Sequence, residues 1–247
     1  LIGTVQGSVS AKGDTLHISE AKADIQVFGA YFDVTNYFEE KDRITFTETA
    51  LNMELADNQL QGAFSSRMDN GSAVSLKARV GSIGEFAAPL DQMELDGLLE
   101  LNDFDLMLLD SFTSYSVEPR GELFSNIKLS GTLSDPQASG NMYLKGGGLD
   151  LPLQGIILTD LTATLKADEA GAAVTASAQS GGGRLDVEGR LGYRDSAVKG
   201  DLLIRGTDFE LFNLPEYVIH FSPDVHLLLT KDDVRVEGEV TIPHAMI

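Results

Sequence analysis

The chain is dominated by an alternation of apolar and polar residues with a period of two. One segment shows it clearly: its apolar positions are Val234, Val236, Val240 and Ile242, and its polar positions are Arg235, Glu237, Glu239 and Thr241. Successive side chains of a β-strand point to opposite faces, so this pattern predicts a strand with one apolar face. The same alternation recurs along the chain and predicts about 15 strands.

Short turn sequences separate the predicted strands. They are Asp69-Asn70-Gly71, Asp135-Pro136, Asp168-Glu169-Ala170-Gly171 and Lys231-Asp232-Asp233. Such turns join neighbouring antiparallel strands. The sequence therefore predicts an all-β meander, in which each strand pairs with the next.

One segment departs from the period of two. Asn102 to Thr113 carries apolar residues in a denser pattern, which predicts a short helix or cap that begins at Asn102 or Asp103. A fully buried strand is the alternative, because short apolar runs do not distinguish the two.

An apolar-x-Gly-x-apolar motif recurs and indicates a degenerate repeat, with units that start near residues 5, 129 and 187. It occurs at Val5–Val9, Leu60–Phe64, Leu129–Leu133, Val187–Leu191 and Val236–Val240. Repeated units stack into solenoids or extended sheets. Several glycines, among them Gly189, Gly200 and Gly238, fall in register with apolar positions, where a missing side chain permits curvature.

The apolar face needs a cover: helices, a second sheet or a ligand. One short helix cannot cover so many strands, which leaves a β-sandwich, a closed barrel or a groove that holds an apolar ligand. The absence of Trp and an aromatic content of 7% disfavour a sandwich core, and they also disfavour a carbohydrate-binding sandwich. A wall of small and aliphatic side chains suits acyl chains better than a ligand of fixed shape.

Charge and composition exclude several function classes. The net charge of -20 opposes binding to nucleic acid, and the absence of cysteine excludes disulfides and thiolate chemistry. No apolar run reaches the roughly 20 residues that a membrane-spanning helix needs. We expect 1–247 to be one continuous, elongated segment of a longer protein, because it starts without Met and its last residues still have a strand pattern.

No residue pattern indicates catalysis, a metal or a cofactor. The four histidines (His17, His220, His226 and His244) have no second ligand at a metal-binding spacing. Asp103, Asp105 and Asp110 are typical of caps and turns, and the Ser180–Gly183 run lacks the Lys-Ser/Thr of a phosphate-binding loop. We therefore expect a protein that is not an enzyme.

From Leu129 onward the sequence resembles the TamB family, within the AsmA-like superfamily. The resemblance is carried by Gly131-Thr132-Leu133-Ser134-Asp135-Pro136, by Ser222-Pro223-Asp224, and by the order of Phe209, Asn213, Pro215, Gly238 and Pro243. Over residues 1–118 only the repeat style persists.

This resemblance implies the C-terminal portion of a long periplasmic protein of Gram-negative bacteria, tethered to the inner membrane by an N-terminal helix. It implies a β-taco, a single curved and mostly antiparallel sheet with an apolar interior. It also implies a role in phospholipid transport between the two membranes, and the outer-membrane barrel TamA as partner in autotransporter assembly.

We therefore expect a groove that binds phospholipid acyl chains. Its predicted wall residues are Leu129, Leu144, Leu161, Leu165, Val187, Leu191, Leu202, Ile204, Ile219, Phe221, Val236 and Val240. The alternative is a β-rich scaffold that pairs with client strands through its sheet edge.

Overall fold

A computed structural model describes residues 2–13, 18–35, 41–81, 89, 91–110, 118–168, 171–194 and 197–246. These residues form an open antiparallel sheet of 15 strands. The all-β prediction is confirmed, and an open sheet of this kind is compatible with the expected groove. The strands are β1 (Ile2–Gly13), β2 (Ile18–Thr35), β3 (Lys41–Ala56), β4 (Gln59–Met68), β5 (Ala73–Val80), β6 (Leu95–Asp105), β7 (Glu118–Gly131), β8 (Pro136–Leu151), β9 (Ile156–Asp168), β10 (Gly171–Ser180), β11 (Gly183–Arg194), β12 (Ala197–Thr207), β13 (Phe209–Leu214), β14 (Tyr217–Leu229) and β15 (Val234–Met246).

The strand order is a meander from β1 to β12, as the turn sequences predict. It changes once, because β12 and β13 both pair with the long strand β14. β12 pairs with the second half of β14, between Asp224 and Leu229, and β13 pairs with its first half, between Tyr217 and Phe221. β15 pairs with β14 and ends the order.

The chain divides into two compact units. Unit 1 contains Leu1–Val34, Lys41–Phe104 and Phe124–Gly140; unit 2 contains Thr35–Glu40, Asp105–Leu123 and Asn141–Ile247. That 1–247 forms one continuous elongated segment stays a prediction.

Residues in the left-handed conformation with φ near 50–60° interrupt several long strands or lie directly between two of them. These residues are Gly29, Asp103, Gly146, Asp160 and Asp208, with φ between 47° and 62°. In β8, apolar residues occupy even positions before Gly146, at Met142 and Leu144, and odd positions after it, at Leu149 and Leu151. A bulge that adds one residue shifts the alternation by one position. The shift keeps both halves of the strand apolar on the same face.

The same shift occurs at Asp208, between β12 and β13. Leu202 and Ile204 lie on the apolar face before it, and Phe209 follows it at an odd position. Phe209 lies opposite Phe221, and Phe221 shares the face of Val225 on the uninterrupted strand β14. The added residue therefore places Phe209 on the apolar face, where it is only 4% exposed.

The segment predicted as a helix differs from the expectation. The strand β6 continues through Asp105, because Asn102 and Leu101 still pair with β5, and the Ser72 hydroxyl donates a hydrogen bond to the carbonyl of Asp103. One helical turn, α1 (Met107–Asp110), follows. It is started by Asp105, whose carboxylate accepts a hydrogen bond from the Met107 N–H (3.0 Å). Residues 111–113 lie outside the described residues.

Candidate functional site

The apolar face of unit 2 is built from rows of directly opposed residues. Opposed residues on antiparallel strands point to the same face, so each row crosses the sheet on one side. The three central rows run from β9 to β15: Ala163, Ala176, Val187, Ile204, Val225, Gly238; Leu165, Val174, Gly189, Leu202, Leu227, Val236; and Ala167, Ala172, Leu191, Gly200, Leu229, Val234. These rows contain no charged or polar side chain. We call this surface the unit 2 wall.

Two of the three glycines in the rows of the unit 2 wall, Gly189 and Gly200, lie beneath neighbouring leucines. A methyl group added at Gly200 would come within 2.7 Å of Leu191 Cδ2 and 3.2 Å of Leu229 Cδ1. At Gly189 an added methyl would meet Leu202 Cδ2 at 2.9 Å. The leucine side chains therefore lie across the glycine positions, which makes the aliphatic surface even.

Phenylalanines extend the unit 2 wall towards the first half of β14. Phe209 and Phe221 pack edge-on, with ring centroids 5.8 Å apart. Phe212 and Tyr217 form a second edge-on pair at 5.6 Å. Such aromatic pairs add stability beyond the area they bury. Phe209, at 4% exposure, is the most buried residue of this aromatic end.

Exposure changes across the unit 2 wall. Wall residues on β9 to β14, such as Leu202, are half-buried. On the last strand, β15, the apolar residues are largely exposed: Val234 at 63%, Val236 at 61% and Val240 at 55%. Among the described residues, the apolar face is therefore more exposed on β15 than on β9 to β14.

Unit 1 has an apolar face of the same construction. One row joins Leu51, Phe64, Leu76 and Leu99, and the next joins Leu55, Leu60, Val80 and Leu95. A third row joins Met53, Gly62, Ala78 and Gly97. A methyl group added at Gly97 would lie 3.5 Å from Leu129 Cβ, so Leu129 packs over this glycine. We call this surface the unit 1 wall.

The structure places most predicted wall residues in these surfaces. Leu165, Val187, Leu191, Leu202, Ile204 and Val236 lie in the three central rows of unit 2. Leu144 and Leu161 meet beside Gly147, and Val240 lies opposite Pro223. Ile219 and Phe221 belong to the aromatic end, and Leu129 belongs to unit 1. Lipid binding by these residues stays a prediction.

Other wall residues were not predicted from the sequence. Val225, Leu227 and Leu229 alternate correctly, but Leu228 interrupts the pattern with an apolar side chain on the polar face. Phe209 was missed because Asp208 shifts the alternation. Such residues could be found from the sequence by a search for places where the apolar residues move from even to odd positions. In this chain these places lie next to an Asp that precedes an apolar residue, or in a Gly-rich run within a long strand.

The opposite face of the sheet is polar and carries ion pairs. In unit 2, Arg205 lies between Glu188 (3.7 Å) and Asp224 (3.4 Å). The Arg184 guanidinium donates hydrogen bonds to Asp186, which lowers the pKa of that carboxyl and raises the pKa of Arg184. Each of these groups is exposed, so each pair contributes little to stability. The polar face is a solvated surface.

Several clefts lie on the polar face, among them the following two. One of about 630 Å³ in unit 1 runs between Asn52, Glu54, Lys77 and Arg79, above the short side chain of Ala63. The other, of about 460 Å³ in unit 2, is lined largely by threonines and charged side chains. Long polar side chains that stand around short ones produce such furrows. Both clefts are lined mainly by residues of the polar face, and wall positions such as Gly62 and Val187 contribute to their floors.

Three histidines, His220, His226 and His244, lie on the polar face of unit 2, and His17 lies outside the described residues. The His220 ring is 5.5 Å from the ring of His244, its Nδ1 is 3.1 Å from the Asp208 carboxylate, and its Nε2 is 3.5 Å from Glu210. His226 contacts Asp201. In the part of the chain that the structure describes, no three such groups are arranged to hold a metal ion. No helix there is long and apolar enough to cross a membrane.

Comparison with known protein families gives two matches. Residues 1–144 match the family described as TamB, N-terminal domain, and residues 173–247 match the TamB C-terminal domain. No curated protein and no solved structure matched the chain. The family is one of periplasmic transport or assembly proteins anchored in the inner membrane and is not known for catalysis. Since the first match alone covers more than half of the residues, this chain belongs to the TamB family.

Proposed function

We propose that this chain provides an apolar surface on which phospholipid acyl chains lie during transport between the inner and outer membranes. The observation that carries the proposal is the composition of the unit 2 wall: three rows cross from β9 to β15 without a polar side chain. Exposed wall valines on β15 support it as well. Membership of the TamB family is consistent with this role.

The mechanism is passive. Burial of a methylene group in apolar surroundings is favourable by about 0.8 kcal/mol. An acyl chain is therefore held by the apolar surface area that it buries, without specific polar contacts. An aliphatic wall has no polar group that would fix one position, so the lipid can slide along it. No chemical step is required, and movement follows the lipid gradient. In this proposal the chain works in the periplasm, and the partner TamA acts at the outer membrane.

A pair of substitutions in β12 tests the proposal. Leu202 lies in the unit 2 wall, whereas its neighbour Leu203 lies on the polar face opposite His226 and Glu188. Leu202→Asp and Leu203→Asp therefore make the same chemical change on opposite faces. An uncompensated charge against acyl chains costs several kcal/mol, about 2–7 for even a neutral polar group.

The measurement is the amount of phospholipid that co-purifies with the chain after incubation with vesicles, quantified by mass spectrometry. We expect Leu202→Asp to reduce bound lipid about tenfold or more, and Leu203→Asp to leave it near the wild-type level. Circular dichroism establishes that both variants are folded. A folded Leu202→Asp protein that binds lipid as the wild type does would overturn the proposal.

A second candidate function is strand pairing with client barrel proteins during their assembly. It is favoured by β15, which pairs only with β14 among the described residues and is exposed along its whole length. An unpaired edge can accept an added strand. Photo-crosslinkers distinguish the two functions: a crosslinker at Val236 on the wall should capture lipid, whereas crosslinkers along the outer edge of β15 should capture client strands.

A further inference from the structure

The shortest strand that the structure describes is β13, with six residues. Among the described residues it pairs with β14 alone, and the N–H of Asn213 also donates a hydrogen bond to the carbonyl of Gln154 (2.9 Å). Phe209 and Phe212 of β13 form the edge-on aromatic pairs with β14. The attachment of β13 therefore determines whether the aromatic end of the unit 2 wall stays packed.

On the polar face, His220 of β14 lies between two carboxylates of β13. Its Nδ1 is 3.1 Å from the carboxylate and 3.2 Å from the carbonyl oxygen of Asp208, and its Nε2 is 3.5 Å from the carboxylate of Glu210. A carbonyl oxygen is an acceptor only, so Nδ1 must carry the proton that it donates. In a neutral ring Nε2 would then turn a lone pair towards Glu210. Only the protonated ring donates from both nitrogens, and this geometry is suited to it.

This ion pair is the least exposed one that the structure describes. The side chains of His220 and Glu210 are 14% and 13% exposed, whereas that of Asp208 is 57% exposed. Glu210 packs over the turn between β10 and β11, because a methyl group added at Gly181 would lie 2.5 Å from Glu210 Cβ. Charges that are shielded from solvent interact more strongly than exposed ones. The charge of His220 therefore matters more to β13 than an exposed ion pair would.

The other groups around His220 do not supply a competing cation. From β15, the ring of His244 lies directly opposite and edge-on, with ring centroids 5.5 Å apart. From β14, the Ser222 hydroxyl accepts a hydrogen bond from the Asp208 N–H (2.9 Å). Within the described ranges, no Lys or Arg forms an ion pair with Asp208 or Glu210. A second positive charge on His244 would be offset by the two carboxylates.

We propose that His220 is a pH-sensitive clamp, which in its protonated form ties β13 to β14 and on loss of the proton loosens β13. Histidine changes charge between about pH 5 and 8. A neutral ring leaves two carboxylates on β13 without a cation between them, so the clamp is strongest in acid and is lost as the pH rises. Loosening of β13 uncovers Phe209 and Phe212. This inference does not depend on what the unit 2 wall binds.

Amide hydrogen exchange of β13, read by mass spectrometry at about pH 5.5 and about pH 8, tests the clamp in the whole chain. Exchange rates are expressed relative to the unfolded chain at each pH, and peptides of β11 and β12 are the internal reference. We expect the protection of β13 to fall about tenfold from the lower to the higher pH, the effect of losing one hydrogen bond to a charged group. Equal protection at both pH values, or greater protection at the higher one, would overturn the proposal.

A second histidine of β14 provides a matched control. His226 also contacts a carboxylate across the sheet, that of Asp201, but it pairs with β12 and both side chains are exposed (41% and 66%). We expect His220→Gln to remove the pH dependence of β13 protection and His226→Gln to keep it. Loss of the dependence in both variants would contradict a role specific to His220.

Two further variants identify the groups in the clamp. Glu210→Gln keeps the shape of the side chain and removes its charge, so it should reduce the pH dependence even if His220→Gln proves unfolded by circular dichroism. His244→Gln should leave the dependence in place. If the dependence disappears in His244→Gln and persists in His220→Gln, the titrating group is His244 and the clamp at His220 is wrong.

Discussion

Gly200 of β12 lies beneath the side chain of Leu191 on β11, at the position where a methyl group would come within 2.7 Å of Leu191 Cδ2. The obstructing atom is the end of a flexible side chain. At Gly189 the obstruction is different, because a methyl group there would meet the Asp201 carbonyl oxygen at 2.0 Å. A backbone atom held in a strand ladder cannot move aside as a leucine methyl can.

The two glycines therefore respond differently to alanine. Gly200→Ala should lower the free energy of unfolding by about 1 kcal/mol, since Leu191 only needs to turn. Gly189→Ala should cost about 3 kcal/mol or more, because the β11–β12 ladder must shift. Urea denaturation followed by circular dichroism measures both. Equal midpoints for the two variants would contradict the packing described for Gly189.

Phe209 is a buried residue of the unit 2 wall and Val236 an exposed one, so the two should respond differently to substitution by alanine. Phe209→Ala removes a ring that is 4% exposed and packed edge-on against Phe221, so we expect a loss of about 3–5 kcal/mol. Val236→Ala changes a side chain that is 61% exposed and should stay within about 0.5 kcal/mol of the wild type. Thermal denaturation measures this difference. A Phe209→Ala protein as stable as Val236→Ala would show that the aromatic pair contributes nothing.

Substitutions at Asp160 test whether β9 needs a residue in the left-handed conformation at this position. Its φ of 49° is accessible to Gly and to Asp but costly for a β-branched residue. We therefore expect Asp160→Gly to keep the wild-type stability and Asp160→Val to lose about 1–3 kcal/mol. Both variants remove the same charge, so a difference between their denaturation midpoints reports backbone conformation. Identical midpoints would argue against the bulge.

The hydrogen bond to the Asp69 carboxylate predicts that the stability of the protein depends on pH. Its carboxylate accepts a hydrogen bond from the Thr45 N–H (3.2 Å), which lowers its pKa from the ordinary value of 3.8. A group whose pKa is lowered by folding stabilises the protein above the unfolded-state pKa, and this contribution is lost as the pH falls through the folded-state pKa. The wild type should therefore be more stable than Asp69→Asn at pH 6.

This advantage should shrink as the pH falls from about 5 to 2, the range in which a carboxyl of lowered pKa takes up its proton. Denaturation of both proteins at pH 6 and pH 3 measures it, and carboxyl NMR of Asp69 gives the pKa directly. An advantage of the wild type that grows with acidity would have the wrong sign for this hydrogen bond.

The sequence predicts the faces of the strands because the period of two is local. Val187 and Ile204 alternate within their own strands, and once the turns are short their pairing follows. The bulges could not be predicted in the same way. Asp208 has the sequence of an ordinary polar position, and the pairing of Phe209 with Phe221 establishes that it adds a residue. Local patterns do not record which strand lies opposite.

The predicted start of the helix was wrong for a related reason, since the helical turn α1 begins only at Met107. Phe104 and Leu106 suggested helical spacing together with the residues that follow, but Asn102 pairs with Ala73 and holds the segment in the sheet until Asp105. Pairing over a long sequence distance outweighs the local preference. The wall residues were chosen from the same alternation, so most of them fall in the cross-strand rows. Whether a wall is occupied by lipid depends on what it meets in solution, and a single sequence does not contain that.

The meander from β1 to β12 has a consequence for how such walls change in evolution. Each hairpin contributes its own part of the apolar face and is bonded only to the strands before and after it. Duplication or loss of one hairpin changes the width of the sheet by two strand spacings, about 9.6 Å, and leaves the remaining rows in register. A single-residue deletion within a strand, in contrast, reverses every side chain beyond it. The width of the sheet can therefore vary in steps of one hairpin, while each remaining strand keeps its apolar face on the same side.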